Sequence, residues 1–499
     1  MSTAMSTTLI DLNSDTVTKA TDEMRKAMAE AVVGDDVDGN DPTTNEFEKC
    51  AAVVFGKEAA LFVPSGTMGN LIALLVYCEE RGSEVIVGDE AHIHYYEQGG
   101  MAQIGGIYHR TVKNKPNGTF DITELENKIR VIDDDHLSIT KVICLENTHN
   151  RCGGVVLPMD YLKQVKEIAE KHGLFVHMDG ARLANAAVKL KAPCHEITKY
   201  CDSVSVCMSK GLCSPVGSVL CGSKSFIKRA RRYRKVLGGG MRQSGHLTAA
   251  CLISLHRMMD RLKDDHLKAR NFAMKINEIK SDLIKIDMES VQTNIVLVTF
   301  EKEKLKPEDV VTALSKVKEI AEKHGLFVHM DGARLANAAV KLEGLCSPVG
   351  SVLCGSKSFI KRARRYRKVL GGGMRQTGHL TAACLISLHR MMDRLKDDHL
   401  KAWNFAMKIN EIKSDLIKID MESVQTNIVL VTFENKKLKP EDVVTALSKN
   451  VVSENGCIYS ISAVTYGKMC VRFTFHLNVK EEYVNIVADR LKQIVESHS

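Results

Sequence analysis

The residues best placed to do chemistry lie in Ser203–Ser218, SVSVCMSKGLCSPVGS. Val204 and Val206 alternate with small residues, a pattern that predicts a short buried strand over Ser203–Met208. Ser209 and Lys210 follow, then turn signals at Gly211 and Pro215. A lysine at the mouth of a buried strand, next to a glycine, is where an enzyme would mount an amine that condenses with a carbonyl. Upstream, Leu174–Asp179 (LFVHMD) is a second apolar strand, ending in the carboxylate Asp179 and followed by Gly180, Ala181 and Arg182. An amine for an aldehyde and a carboxylate that keeps a ring nitrogen protonated are the two requirements of pyridoxal phosphate.

Those two strands belong to a longer alternation. Strands are predicted at Ala59–Val63, Glu84–Val87 and Val142–Glu146, with helices at Asn45–Phe55, Met68–Cys78 and Met159–His172. An alternation that runs to Cys221 argues for a parallel α/β sheet with ligands at the carboxyl ends of its strands. Ser65, Gly66 and Thr67 open the helix Met68–Cys78. Backbone N–H groups at such a start make a phosphate cradle, although an ordinary N-cap explains the same residues. His92 opens a helix that ends near Gly99, and His149 follows the strand Val142–Glu146. A helix is also expected over Asp22–Ala31. Leu237–Met241 is a glycine-rich loop before Arg242, and long helices run on to about Ile286. Ile295–Phe300 and Pro307–Lys316 begin a smaller α/β domain. Cys457–Ser462, Met469–Phe475 and the helix Lys480–Ser497 complete it.

At 499 residues, 44% hydrophobic and 26% charged, the composition is that of an ordinary globular protein with room for a large core. No run of 18 apolar residues exists, so no membrane-spanning helix is expected. The amino end has neither the basic nor the apolar region of a secretory signal. The 15 cysteines are odd in number, lie mostly in apolar segments and form no C-x-x-C pair. They read as reduced thiols of a cytoplasmic protein.

A long internal repeat governs everything downstream. Val165–Leu190 recurs letter for letter at Val317–Leu342, and Gly211–Lys316 recurs at Gly344–Lys449 with four changes. Between the two blocks the first copy holds Lys191–Lys210, whereas the second holds only Glu343. Near identity over this length is unlike a solenoid, whose units are short and drift apart. It reads as a recent tandem duplication or an error of gene assembly. The second copy lacks both the Ser203–Met208 strand and the lysine, and a glutamate cannot condense with an aldehyde. The missing strand would leave neighbouring backbone groups unpaired, at about 1–3 kcal/mol each where buried.

The same repeat accounts for the net charge of +8. Its second copy carries 23 Lys and Arg against 14 Asp and Glu; without it the chain holds 46 against 47. Nucleic acid is therefore not an expected partner. The basic run Lys224–Lys235 gathers Phe226, Ile227, Ala230 and Tyr233 on one helical face and reads as a solvated helix. The expected domains are 1–290 (large, cofactor-binding), 291–316 (first copy of the small-domain start), 317–421 (surplus duplicate) and 422–499 (small domain). The small-domain strand is either Ile295–Phe300 or Ile428–Phe433. Connectivity favours the second, which leads straight into Asn450.

The stretches DLNSDTVTKAT (Asp11–Thr21), GDDVDGNDPT (Gly34–Thr43), FVPSGTMGN (Phe62–Asn70), LENTHNR (Leu145–Arg151), VHMDGARLANA (Val176–Ala186), MSKGLCSPVGS and LGGGMRQ (Leu237–Gln243) resemble, in order, the L-threonine aldolase family. The resemblance implies the α/β fold of fold type I pyridoxal-phosphate enzymes, with a mixed, mostly parallel sheet and a smaller domain. It implies retro-aldol cleavage of threonine or allo-threonine to glycine and acetaldehyde, in a homo-oligomer, with no metal. Lys210 would carry the cofactor, Asp179 its ring nitrogen, and Ser65, Gly66, Thr67 and Arg242 its phosphate. His92 would stack on the ring. His92 or His149 would take the β-hydroxyl proton. Ser14, Arg182 and Arg472 would hold the amino-acid substrate. Two positions depart from the family: Asn13 stands where arginine is usual, and Asp38 where tyrosine is usual. The alternatives are another pyridoxal-phosphate lyase, a hydroxymethyltransferase-like enzyme, or an inactive homologue disrupted by the duplication.

Overall fold

In a computed structural model of the chain, the apolar runs between Ala59 and Gly222 pair into one seven-stranded sheet. Its strands are β1 (Ala59–Val63), β2 (Ser83–Gly88), β3 (Tyr108–Val112), β4 (Ile139–Glu146), β5 (Phe175–Asp179), β6 (Ser203–Cys207) and β7 (Ser218–Gly222). The order across the sheet is β1-β7-β6-β5-β4-β2-β3. β2 to β6 are mutually parallel, and β7 runs antiparallel to both of its neighbours, β1 and β6. The fold is thus mixed and mostly parallel, as the sequence predicts. β1, β4, β5 and β6 therefore deliver their carboxyl ends to one edge, the edge where open α/β sheets bind ligands. The structure describes residues 12–300 apart from 13, 132–133 and 280–283, and residues 340–498 apart from 342–347, 354, 392–393, 425, 434–437, 450, 453–457 and 468.

Helix α1 (Gly66–Tyr77) is mostly apolar, and Thr67 to Val76 are all buried. It shares one core with Val85 and Val142 of the sheet and with Phe226, Ile227 and Ala230 of α2 (Lys224–Val236). Full burial of each large apolar side chain there stabilises by about 1.5–3 kcal/mol. The helix expected from His92 to Gly99 is a single turn, His92–Tyr95. Gln98 and Gly99 both adopt positive φ, which breaks it.

The chain divides into two units, Met1–Ala339 with Leu353–His379, and Val340–Val352 with Leu380–Ser499. This differs from the division read in the sequence, because residues 353–379, part of the expected surplus, join the first unit. They contain α3 (Lys357–Val369), the repeat of α2, whose neighbouring loop bonds to Ser65 and to Pro215. The second unit holds a four-stranded antiparallel sheet of β8 (Ile417–Lys418), β9 (Ile428–Phe433), β10 (Val464–Tyr466) and β11 (Cys470–Thr474), in the order β8-β9-β11-β10. Phe405, Val429, Val431, Phe433, Val471 and Leu491 are buried together in its core. β9 comes from the second copy. In its first-copy twin, Ile295–Phe300, only Thr299–Phe300 is strand, paired with Ile284–Lys285. Pro307–Lys316 and Glu343 lie outside the described residues. No helix of the described residues is long and apolar enough to cross a membrane.

Candidate active site

Lys210 is placed by the tight connection between β6 and the reversed β7. The Cys213 N–H donates to the Lys210 carbonyl at 2.9 Å, and the Ser214 and Met208 N–H groups close the loop through Met208 O and Gly217 O. Gly217 has φ +107, and a Cβ there would come 2.3 Å from the Phe62 ring, so only glycine fits this turn. The Thr18 hydroxyl, near the amino end, donates to the Lys210 carbonyl at 2.6 Å.

Asp179 ends β5 and is almost fully buried. One of its oxygens accepts from the Ala181 N–H at 3.1 Å and the other from Asn70 Nδ2 at 3.0 Å. Asn70, on α1, is the hub of a buried network. Its Nδ2 also donates to Glu97 Oε1 at 3.0 Å, and its Oδ1 lies 3.1 Å from His177 Nε2. His177 Nδ1 is 2.8 Å from Ser203 Oγ. Because Asn70 Oδ1 can only accept, His177 carries its proton on Nε2 and accepts from Ser203 on Nδ1. Burial holds the His177 imidazole down to about 4, so it is neutral.

His92 has its backbone N–H on Glu146 Oε2 at 2.6 Å and its Nδ1 on Glu97 Oε1 at 3.0 Å. Burial works against a charge on His92, but the hydrogen bond and charge of Glu97 outweigh it and raise its affinity for a proton. Full burial pushes the Glu97 carboxyl up in turn. The 3.0 Å contact thus places the two groups to share a proton.

Two adjoining cavities meet at Lys210. The first, about 40 Å³, is lined by Ser65, Gly66, Thr67, His92, Asp179 and Lys210, together with Lys368, Gly373 and Arg375 of the second copy. The second, about 190 Å³, is lined by Ser14, His92, Tyr96, Thr148, Asn150, Asp179, Arg182, Lys210 and Arg375, among others. Arg182 is clamped by Asp15 through Nε and Nη2, both at 2.8 Å, and donates from Nη1 to Asn150 Oδ1 at 3.0 Å. Three of its five N–H donors are thereby used. Burial disfavours the Asp15 charge, yet the Arg182 guanidinium prevails and holds that carboxyl down to about 2.

Lys210, Asp179, His92, Ser65, Gly66, Thr67, Ser14 and Arg182 therefore come together. Three expected residues stand elsewhere. Arg242 does not line either cavity; its Nη1 lies 2.6 Å from Asp35 Oδ2 and 3.9 Å from Asp38 Oδ2. His149 is buried outside both cavities, with the Cys152 N–H 3.4 Å from its Nδ1. Arg472 belongs to β11 of the second unit, 5.9 Å from the Tyr466 ring centroid. Asn13, and the second-copy twins of Asp179 and Arg182, Asp331 and Arg334, lie outside the described residues. The reading of the sequence missed Asp15, Asn70, Glu97, Lys368 and Arg375. Asp15 adjoins Ser14 and could have been found there. Lys368 and Arg375 are twins of Lys235 and Arg242, so only the fold distinguishes them.

Among the described residues His92, Glu97 and Asp179 offer the one grouping close enough to hold a metal. Hydrogen bonds within the network already engage all three side chains.

The beta-eliminating lyase family model matches residues 11–303, then 310–344 and 342–436. The chain is 55% identical over 290 residues to the probable low-specificity L-threonine aldolase 2 of Arabidopsis thaliana, covering 58% of this chain and 81% of that protein. It is 47% identical over 279 residues to the low specificity L-threonine aldolase of Escherichia coli K12, covering 56% and 82%. In fold it is similar to the crystal structure of a putative L-allo-threonine aldolase from Listeria monocytogenes, with a TM-score of 0.51 and 21% identity over 69% of this chain and 91% of that one. With a match over more than half its length, and relatives spanned over four-fifths of theirs, the chain belongs to the beta-eliminating lyase family, beside threonine aldolases.

Proposed function

We propose that the chain is a pyridoxal-phosphate-dependent lyase that cleaves L-threonine or L-allo-threonine to glycine and acetaldehyde. The observation that carries this reading is the convergence of Lys210, Asp179 and the Ser65–Thr67 helix start on one cavity. The residues present fit the cofactor. Lys210 supplies an amine for its aldehyde and Asp179 a buried carboxylate for its ring nitrogen. Gly66 keeps the cradle open, since a Cβ there would come 2.8 Å from Cys207 Sγ. When bound, pyridoxal phosphate supplies an electron sink conjugated to the substrate's α-carbon.

The protein's own groups do the rest. Arg182 and Ser14 orient the substrate in the larger cavity, the two free donors of Arg182 suiting a carboxylate. Arg472 and His149 stay in this reading as further substrate and proton-transfer candidates. His92 takes the β-hydroxyl proton as the Cα–Cβ bond breaks. The absence of disulfides among the described cysteines fits the cytoplasm. A homo-oligomer belongs to the same reading.

Borohydride reduction of protein loaded with pyridoxal phosphate, followed by peptide mass spectrometry, places the adduct on Lys210. K210A loses both the adduct and acetaldehyde release from threonine. An adduct on another side chain, or none, sinks the reading. The pH profile has a defined sign. His92 must be neutral to accept a proton, so the rate climbs as pH rises through its elevated pKa. E97Q removes the charge that raises it and moves that limb to lower pH; a limb that stays in place removes His92 as the base.

A further inference from the structure

The repeated segment reaches into the first copy's site. Ser65 Oγ donates to the Gly371 carbonyl at 2.5 Å, and Lys368 Nζ donates to Thr67 Oγ1 at 3.3 Å. Gln376 anchors the loop, its N–H on the Pro215 carbonyl at 3.2 Å and its side chain on the Thr18 carbonyl. Thr18 and Pro215 flank the segment that presents Lys210. Lys368 and Arg375 therefore stand at the cavity of Ser65, Gly66, Thr67 and Lys210.

Their first-copy twins do not. Lys235 is exposed on α2, and Arg242 is paired with Asp35. Asp35 lies outside the repeated blocks, so Arg375 has no duplicate of that carboxylate. Among the described residues Arg375 makes no ion pair. Lys210, Lys368 and Arg375 thus line a small polar cavity with the hydroxyls of Ser65, Thr67 and Ser209, and the carboxylates Glu97 and Asp179 line it too. Burial weakens the Lys368 hold on its proton, a cost that a bound anion would relieve.

We propose that the second copy completes a phosphomonoester site in cis, with Lys368 and Arg375 clamping a phosphate dianion against Ser65, Gly66 and Thr67. The duplicate thereby gives one chain the cations that its first copy directs elsewhere. The inference rests on the reading above only for the identity of the phosphomonoester, the cofactor's own phosphate.

Titration with pyridoxal phosphate, with pyridoxal and with inorganic phosphate tests it, using borohydride-trapped adduct for the first two and calorimetry for the third. R375Q and K368Q each weaken binding of pyridoxal phosphate and inorganic phosphate about tenfold or more, the loss expected for a charge-assisted hydrogen bond. Capture of pyridoxal, which has no phosphate, stays at the wild-type level, and K235Q matches wild type with all three ligands. Arg375 is exposed, so R375Q spares the fold. Wild-type phosphate affinity in R375Q and K368Q overturns the proposal, as does a loss seen in K235Q or R242Q instead. In a mixture of K210A and R375Q chains only the latter can form the trapped adduct, and its formation stays at the weakened R375Q level if the clamp is in cis; a restored adduct overturns it. Phosphate binding that needs Arg375, without any adduct on Lys210, would leave the clamp standing while the cofactor reading fell.

Discussion

Helices α2 and α3 have the same thirteen residues, KSFIKRARRYRKV, and different surroundings. Both start alike, with Ser223 and Ser356 each accepting from the N–H three residues on at 3.2 Å. Both end alike, at Leu237 and Leu370. Yet α2 buries Phe226, Ile227, Ala230 and Arg234, whereas α3 buries only Val369. Phe359, twin of Phe226, is 41% exposed against 4%. Local sequence therefore dictates the helix and its caps, and the rest of the chain dictates what the helix covers. The two copies also send identical side chains to different work: Arg242 to Asp35, Arg375 to the cavity wall.

Paired substitutions break that comparison most sharply at Arg234 and Arg367. Arg234 is 2% exposed; its Nη2 lies 2.8 Å from Asp36 Oδ2 and its Nη1 donates to the Phe62 carbonyl at 2.8 Å. R234A leaves the buried Asp36 with Arg231 alone, 3.3 Å from its other oxygen, and costs about 3–5 kcal/mol. R367A, on an exposed face, stays within about 0.5 kcal/mol. Urea unfolding measures both, and equal losses would mean that α3 is packed like α2.

Acid sharpens the contrast at His177, whose partners Asn70 and Ser203 have no counterparts in the second copy. His177 binds a proton near 6.5 when unfolded and near 4 when folded. Between those values the unfolded chain holds more protons, so stability falls as pH drops through the window, by about 3 kcal/mol in all. H177Q flattens this slope. An unchanged slope assigns the acid loss to other groups.

The smallest effect is one the copies share. S223A and S356A each remove the same cap hydrogen bond and cost their helix about 1 kcal/mol, read from amide exchange in the first turn. Protection lost at one start and not at the other would show that capping, too, depends on tertiary context.

Much of the fold was legible because its strands are buried on both faces and read as apolar runs with chemistry at their ends. Asp179 and Lys210 close β5 and lie just past β6, so strand direction alone brought them near each other. The reversal of β7 was less legible, since periodicity carries no direction. It follows from the connection Met208–Gly217, too short for a parallel crossover. Asn70 looked like one more residue of an apolar helix; its role depends on facing Glu97, Asp179 and His177 at once. Arg182 was found, but its engagement by Asp15 joins residues 167 apart in sequence.

The sequence by itself determined that only the first copy has a lysine before GLCSPVG, because a covalent deletion removes the amine whatever the chain folds into. It also set the identical helices and their caps, since those bonds close within one turn. Only the tertiary structure decided which of two identical cations, Arg242 or Arg375, lines the cavity of Lys210. Both have the same local preferences; the difference is Asp35, a carboxylate the repeat did not duplicate.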